Sequence, residues 1–338
     1  MLESRLDPRR TEGYRPLMEY RQLGQTELKI SVVGFGASPL GDVFGLSDPD
    51  EGARAVDLAI DEGINFFDVS PYYGKTLAEE RLGQALLGKR DKVVLSSKCG
   101  RYGVDRFDFS ANAVRTSVEN SLKRLHTDYL DLLQVHDVEF GSFEQIINET
   151  LPAIRRMQDE GKTRYVGISG YPLQALVHIA QRAPVDSVLS YCQYNLLIDH
   201  MDSVLVPAAK ALGIGIINAS PLHMGMLTRQ GAPDWHPAPR EMRTVVKAAV
   251  DFCDAHGADL TELALRFCFD HPGVASTLVG MSTTEQVRRN LDAFGAPADP
   301  ELVREVKAIL APAANFVWSS GRPENQASET DLPKGSNS

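Results

Sequence analysis

VVLSSKCGRYGVDRFDFSANAVRTSVENSLKRLHTDYLDLLQVH, residues 93–136, carries two short apolar runs with an amphipathic stretch between them. The outer runs, VVLSSKCG (93–100) and YLDLLQVH (129–136), have the length and apolar content of buried strands. Between them Ser110 can cap a helix through Lys123, with Val114, Val118 and Leu122 four residues apart on one face. A strand, a helix and a strand in that order imply parallel pairing through a crossover. The same rhythm extends both ways. Upstream lie VVGFGAS (32–38) and INFFDVS (64–70), separated by Asp50–Glu62, which places Ala53, Val56, Ala59 and Ile60 largely on one face. Downstream lie YVGISG (165–170), VLSYCQY (188–194), IGIINAS (214–220) and STLVGM (276–281). Eight such units close a (β/α)₈ TIM barrel of the α/β class. The runs show little alternation, as strands packed on both faces do.

The flanks complete the layout. Met18–Ser31 alternates and turns at Gly24-Gln25, as a short hairpin does. Residues 233–272 hold extra helical sequence before the eighth strand, and a further helix is expected at the C-terminus. The polar stretch 1–17 reads as a flexible N-terminal extension, 18–311 as a single barrel domain, and 312–338, rich in small and polar residues, as a flexible tail. A net charge of -10 argues against nucleic-acid binding, which needs clustered Lys and Arg. Arg9-Arg10 reads as part of a solvated tail. None of Cys99, Cys192, Cys253 and Cys268 forms a C-x-x-C pair, and no HExxH motif occurs, so no metal is expected. Cys99 and Cys192 read as buried small residues. The absence of an apolar signal core and of any run of ~18 apolar residues points to a cytoplasmic protein without membrane contact.

Barrel enzymes place their chemistry at the C-terminal ends of the strands. Those ends carry Asp68, Lys98 and His136, and Tyr73 follows in the loop SPYYG. Singly, each has an ordinary structural reading: a turn cap, an exposed lysine, a packed tyrosine, a satisfied histidine. Together they are four ionisable groups from three successive strands at one end of the fold. Lys98 and Asp68 can pair across neighbouring strands. A phenol titrates near ~10, and a nearby ammonium favours its phenolate. Tyr73 beside Lys98 can then exchange a proton with a carbonyl or alcohol oxygen that His136 orients.

With these residues in place, the sequence resembles the aldo-keto reductase family over nearly all of residues 18–310. FFDVSPYYG (66–74) matches that family's D-x-x-x-x-Y-G signature. Lys98 in SSKCG and His136 in LLQVHD match its lysine and histidine, and RYVGISG (164–170) and NASPLHMG (218–225) match two further segments. The likeness is strongest to the branch of sugar 1-dehydrogenases. It implies a nicotinamide cofactor lying extended across the barrel mouth. Gly34-Phe35-Gly36, followed by Leu40-Gly41, is a poor G-x-G-x-x-G and fails the Rossmann context. By resemblance Ser169 meets the nicotinamide carboxamide, Ser220 and Leu222 lie along the pyrophosphate, and Ser282, Gln286 and Asn290 lie near the adenosine half.

The departures from the family carry information. Gly170 stands where many members have Asn, Tyr191 where many have Gln, and Ala219 where many stack an aromatic ring on the nicotinamide. Tyr191 is the candidate to supply the missing ring or hydrogen bond. Gly280 and Gln286 stand where members preferring the 2′-phosphorylated cofactor place Lys and Arg. The resemblance therefore implies NAD⁺ over NADP⁺, with Arg288 and Arg289 as the nearby cations that oppose this expectation. The implied reaction is oxidation of C1 of an aldose of L-galactose or L-fucose type to its lactone. Phe44, Tyr72, Arg101, Tyr102, Asp137, His223, Trp235 and His236 are the candidates to line the sugar pocket. The expected partner is this small molecule alone, with the chain a monomer or weak homo-oligomer. Alternatives are a reductase of another aldehyde or ketone, a non-catalytic cofactor-sensing barrel, and a class I aldolase with Lys98 as Schiff-base nucleophile.

Overall fold

The computed structural model describes residues 17–326. Two short antiparallel strands, β1 (Tyr20–Gln22) and β2 (Lys29–Ser31), form the expected hairpin. Its turn uses Gly24 at φ +57°, and a Cβ there would lie 2.4 Å from the Gly215 nitrogen. Glycine is therefore required both by the backbone and by the close approach to the barrel floor. Leu23, Leu28 and Ile30 pack with Phe66, Leu132, Leu189 and Ile217, so the hairpin plugs the N-terminal end.

Eight strands then close the barrel: β3 (Val33–Gly36), β4 (Phe66–Asp68), β5 (Val94–Cys99), β6 (Leu130–Val135), β7 (Thr163–Gly170), β8 (Ser187–Tyr191), β9 (Gly215–Ala219) and β10 (Ser276–Gly280). All pairs are parallel, and β10 bonds to both β3 and β9. The bounds of each lie within three residues of those of an apolar run read from the sequence. The pleat sends alternate residues to opposite faces. Phe67, Leu95 and Cys99 face the helical layer, whereas Phe66, Asp68, Ser96, Lys98, Leu132 and Gln134 face inward.

The helices follow their signals. Ser110 caps Ala111–Arg124 by accepting from the Ala113 nitrogen at 3.3 Å, and Val114, Val118 and Leu122 are buried. The first helix, Pro49–Asp61, buries Gly52, Ala55, Val56 and Ala59, a face rotated from the one expected. Small residues there let the helix lie close to the barrel. The extra helices are Arg240–Ala255 and Leu260–Phe269 before β10, and Pro300–Leu310 near the end.

The expectation of a flexible tail from residue 312 is corrected for residues 312–326. Trp318 stacks on Tyr171 at 4.3 Å between ring centroids, and its backbone N–H donates to the Tyr171 hydroxyl at 3.2 Å. Asn325 is buried and donates to the carbonyls of Glu139 and Gly141 at 2.8 and 2.7 Å. Small polar residues are fixed here by long-range partners that local composition does not reveal. The flexible extension expected at 1–17 falls outside the described residues except for Leu17.

Candidate active site

Eight non-glycine residues at positive φ lie in loops that leave the C-terminal ends of the strands: Asp42, Lys75, Thr76, Asp137, Cys192, Ser220, His223 and Met224. Such backbone is costly for L-residues and gathers where function constrains the chain. It marks this mouth as the functional end.

The inward face of β4, β5 and β6 builds the centre. Lys98 and Asp68 are almost fully buried and form an ion pair, and Lys98 Nζ also donates to the Val69 carbonyl at 3.1 Å. The second carboxylate oxygen of Asp68 accepts from Ser96 Oγ and Gln134 Nε2, each at 3.0 Å. A buried charge pair survives only when its remaining atoms are satisfied, and Ser96 and Gln134 do this for Asp68. The Tyr73 ring centroid lies 5.0 Å from Lys98 Nζ. His136 stands edge-on to Tyr73, with ring centroids 5.7 Å apart and planes at 87°. The structure thus brings Asp68, Tyr73, Lys98 and His136 into one cluster.

The electrostatics correct one expectation. Burial pushes the Tyr73 phenol above its ordinary value of 10, and Lys98 pulls it down without prevailing. The sequence reading weighed the ammonium alone and not the loss of water around the hydroxyl. Burial opposes the charge on Lys98 too, but Asp68 and then Tyr73 outweigh it, and the pKa is raised. Burial drives His136 down to about 3, so its imidazole is neutral at physiological pH. Ser70, absent from the sequence candidates, lies with its Oγ 3.0 Å from His136 Nδ1.

Around this centre the other candidates separate. Arg101 pairs with Asp137, and its guanidinium covers the Tyr72 ring at 3.9 Å, while Asp137 Oδ2 lies 3.7 Å from His136 Nε2. Phe44 and Trp235 are more than half exposed and face one another at 6.2 Å as the lip of the mouth. Tyr102 is not brought to the cluster: its hydroxyl accepts from the Gly100 nitrogen and points to the carbonyl of Ala113, on the neighbouring helix. His236 spends both ring nitrogens on backbone, with Nδ1 accepting from Ala238 and Nε2 set against the His223 carbonyl. That leaves it no free atom for a ligand, and it serves as a packed loop residue. His223 is fully buried beneath Trp318, beside Asn195.

Sequence reasoning missed Glu139 and Trp318, and the first explains a departure. Glu139, fully buried, accepts from the Tyr171 nitrogen and from Ser320 Oγ. Its Oε2 lies 2.6 Å from where a Cβ on Gly170 would stand. Any side chain at 170 would collide with it, so glycine follows from Glu139. Burial first, then the charge of Asp137, raises the Glu139 pKa to about 8. Trp318, docked from the C-terminal segment, completes an aromatic wall with Tyr171 and, at 5.5 Å from Tyr171, Tyr191.

The residues fit an extended dinucleotide. Tyr191 and Ala219 are register partners on β8 and β9, and Ser169 is buried at the end of β7. The amide of Asn290 is buried with neither its nitrogen nor its oxygen bonded, an unmet polar group of the kind a bound base would satisfy. Gln286 accepts from the Ser282 nitrogen at 2.8 Å, Ser220 and Leu222 line the loop after β9, and Gly280 is exposed at the end of β10. Among the described residues no group of three or more His, Cys, Asp and Glu is gathered as a metal site, and no helix is long and apolar enough to cross a membrane.

A closed eight-stranded parallel barrel with this tetrad at its mouth defines an NAD(P)-linked oxidoreductase scaffold, and the chain belongs to the aldo/keto reductase family, whose profile matches residues 32–311. Among individual proteins it is similar to L-galactose dehydrogenase of Arabidopsis thaliana, with 47% identity covering 91% of this chain and 99% of that one. It is 33% identical to D-arabinose 1-dehydrogenase of Saccharomyces cerevisiae, over 79% of this chain and 87% of that protein. The holo form of an aldo-keto reductase from Bacillus halodurans superposes with a TM-score of 0.74 at 28% identity, covering 89% of this chain and 98% of that one.

Proposed function

We propose that this chain oxidises C1 of an aldose of L-galactose or L-fucose type to the lactone, using NAD⁺ in preference to NADP⁺. The observation that carries the reading is the buried Asp68–Lys98 pair set beneath the Tyr73 ring, with His136 edge-on to the same ring. A bound oxidised nicotinamide would supply the acceptor for the hydride released from C1. The proton of the anomeric hydroxyl passes to the Tyr73 oxygen, and a carbonyl forms at C1. Lys98, held as ammonium by Asp68, favours the phenolate that this transfer needs. Neutral His136 donates a hydrogen bond to the reacting oxygen and fixes its direction. Phe44, Tyr72, Arg101, Asp137, His223 and Trp235 shape the pocket, with aromatic faces for the apolar sugar face and charged edges for hydroxyls.

The cofactor preference has a further support. Glu51 Oε1 accepts from both the nitrogen and the hydroxyl of Thr284, at 2.7 and 2.8 Å, at the start of the helix Thr284–Phe294. These bonds hold Glu51 at about 2, so it is a carboxylate. A helix start is where an anion binds well, and here the chain's own anion occupies it. Arg54 pairs with the other carboxylate oxygen of Glu51 at 2.8 Å and offsets its charge, so the support rests on the occupied helix start and on Gly280 and Gln286 adding no cation.

One observation favours a second reading. The protonated phenol of Tyr73 at neutral pH is the form that delivers a proton to a carbonyl, so the same centre suits reduction of an aldehyde or ketone. We further place the protein in the cytoplasm as a monomer or weak homo-oligomer; its four cysteines are buried and free, as in a reducing compartment. The test is NADH or NADPH formation across a panel of aldoses, with the reverse reaction run on simple aldehydes. Turnover of an L-sugar with NAD⁺ is expected. A tenfold or greater preference for NADP⁺ would contradict the cofactor reading, and activity on aldehydes alone would favour the second.

A further inference from the structure

We infer that Ser70 fixes His136 as the Nε2–H tautomer and so sets which ring nitrogen meets the reacting oxygen; the inference rests on the proposed role of His136. Ser70 lies two residues beyond Asp68 and is fully buried. Its Oγ is 3.0 Å from His136 Nδ1 and accepts the Tyr72 backbone N–H at 3.1 Å. A hydroxyl has one hydrogen and two lone pairs. Tyr72 takes one lone pair, and two arrangements remain. In the first, Ser70 donates its hydrogen to Nδ1, and the imidazole proton sits on Nε2. In the second, Nδ1–H donates to Ser70, and the hydroxyl hydrogen must find another acceptor. Among the described residues Ser70 Oγ makes no other hydrogen bond. A buried donor without an acceptor is costly, so the first arrangement prevails.

Two neighbours act in the same direction. The Asp137 carboxylate, tied to Arg101, lies 3.7 Å from Nε2 and favours a proton there. The rings of Tyr72 and Tyr73 stand edge-on to the imidazole at 5.9 and 5.7 Å and hinder a ring flip. Because His136 is neutral, the tautomer decides its function: Nε2–H offers a donor to an oxygen gaining charge, and the other tautomer would offer a lone pair. Ser70 is thus a positioning residue that acts through His136.

The test is nitrogen-15 spectroscopy of the histidine-labelled full chain, with Ser70→Ala and Ser70→Thr beside the wild type. The wild type should carry its proton on Nε2, with the Nδ1 resonance displaced from the free-imine position by an accepted hydrogen bond. In Ser70→Ala the Nδ1 resonance should move to the free-imine position or average between tautomers. Its kcat should fall about tenfold, the loss of one hydrogen bond, with NADH affinity held, and its melting temperature should drop by a few degrees because the Tyr72 N–H also loses its acceptor. Ser70→Thr should restore both spectrum and rate. A wild-type proton on Nδ1 overturns the inference, as does a Ser70→Ala spectrum that coincides with the wild type. A shifted spectrum with unchanged kcat, together with an active His136→Ala, would overturn the role of His136 and leave the tautomer assignment standing.

Discussion

Replacing Lys98 with Met should damage two quantities that can be measured apart. Lys98 is 1% exposed and paired with Asp68, which is itself buried. Removing one member of a buried pair leaves an uncompensated charge, and the expected loss of stability is ~3–5 kcal/mol. The second effect falls on Tyr73. The ammonium lies 5.0 Å from the phenol ring centroid. At that separation, and an effective dielectric of ~20, a unit charge is worth ~3 kcal/mol, about two pH units. Tyr73 already titrates above 10 because of burial, so losing Lys98 moves it further up, and the unmasked Asp68 adds to the rise. Sugar oxidation in the wild type should therefore quicken as pH rises. In Lys98→Met the same rise should start about two pH units higher, with a loss on the order of a hundredfold near neutrality. Initial rates against pH measure the second effect, and urea unfolding measures the first. The double variant Asp68→Asn/Lys98→Met removes both charges and should recover most of the stability without recovering the rate. A pH profile that does not move in a folded Lys98→Met protein would refute the electrostatic coupling.

Further outcomes follow from the flanking residues. Glu139 has a folded pKa of about 8 against an ordinary 4.5, so the folded state keeps a proton that the unfolded chain releases. Its stabilising contribution is full below 4.5 and is lost as pH rises through 8, with a slope approaching ~1.4 kcal/mol per pH unit. Glu139→Gln should flatten this decline in urea midpoints taken across that window, and an unchanged slope would exclude Glu139 as its source. Glu51→Gln removes the carboxylate at Thr284 and should raise the affinity for NADPH relative to NADH severalfold, read by fluorescence titration. An unchanged ratio would remove Glu51 from cofactor selection.

How much could be read from the chain depended on whether the deciding contacts were local. The strands were legible because β-branched runs such as INFFDVS and IGIINAS declare themselves, and the pleat then placed Asp68 and Lys98 inward together. Ser70, Ser96 and Gln134 were not legible. Small polar residues inside a strand run look like ordinary barrel residues until their partners are known. Glu139 lies in a loop with no local signal of burial, and its cover comes from residues 320–325, far along the chain. The same contacts explain the docked segment 312–326, whose composition suggests a loose tail. Gly170 was visible as a departure from its family, but its cause, the carboxylate filling the space, required coordinates. Tyr102 and His236 show the converse: side-chain types suited to a sugar pocket that are spent on backbone atoms.

The most direct test of the central claim is turnover of L-galactose with NAD⁺ by Tyr73→Phe, measured beside NADH binding to the same variant. The change removes one oxygen from a half-buried ring and leaves Lys98, Asp68 and His136 in place. If Tyr73 moves the proton, the rate should fall by about three orders of magnitude or more, within the reach of a lost general acid-base group and its hydrogen bond, while NADH binds as before. Near-full turnover in a variant that still binds NADH would contradict the account.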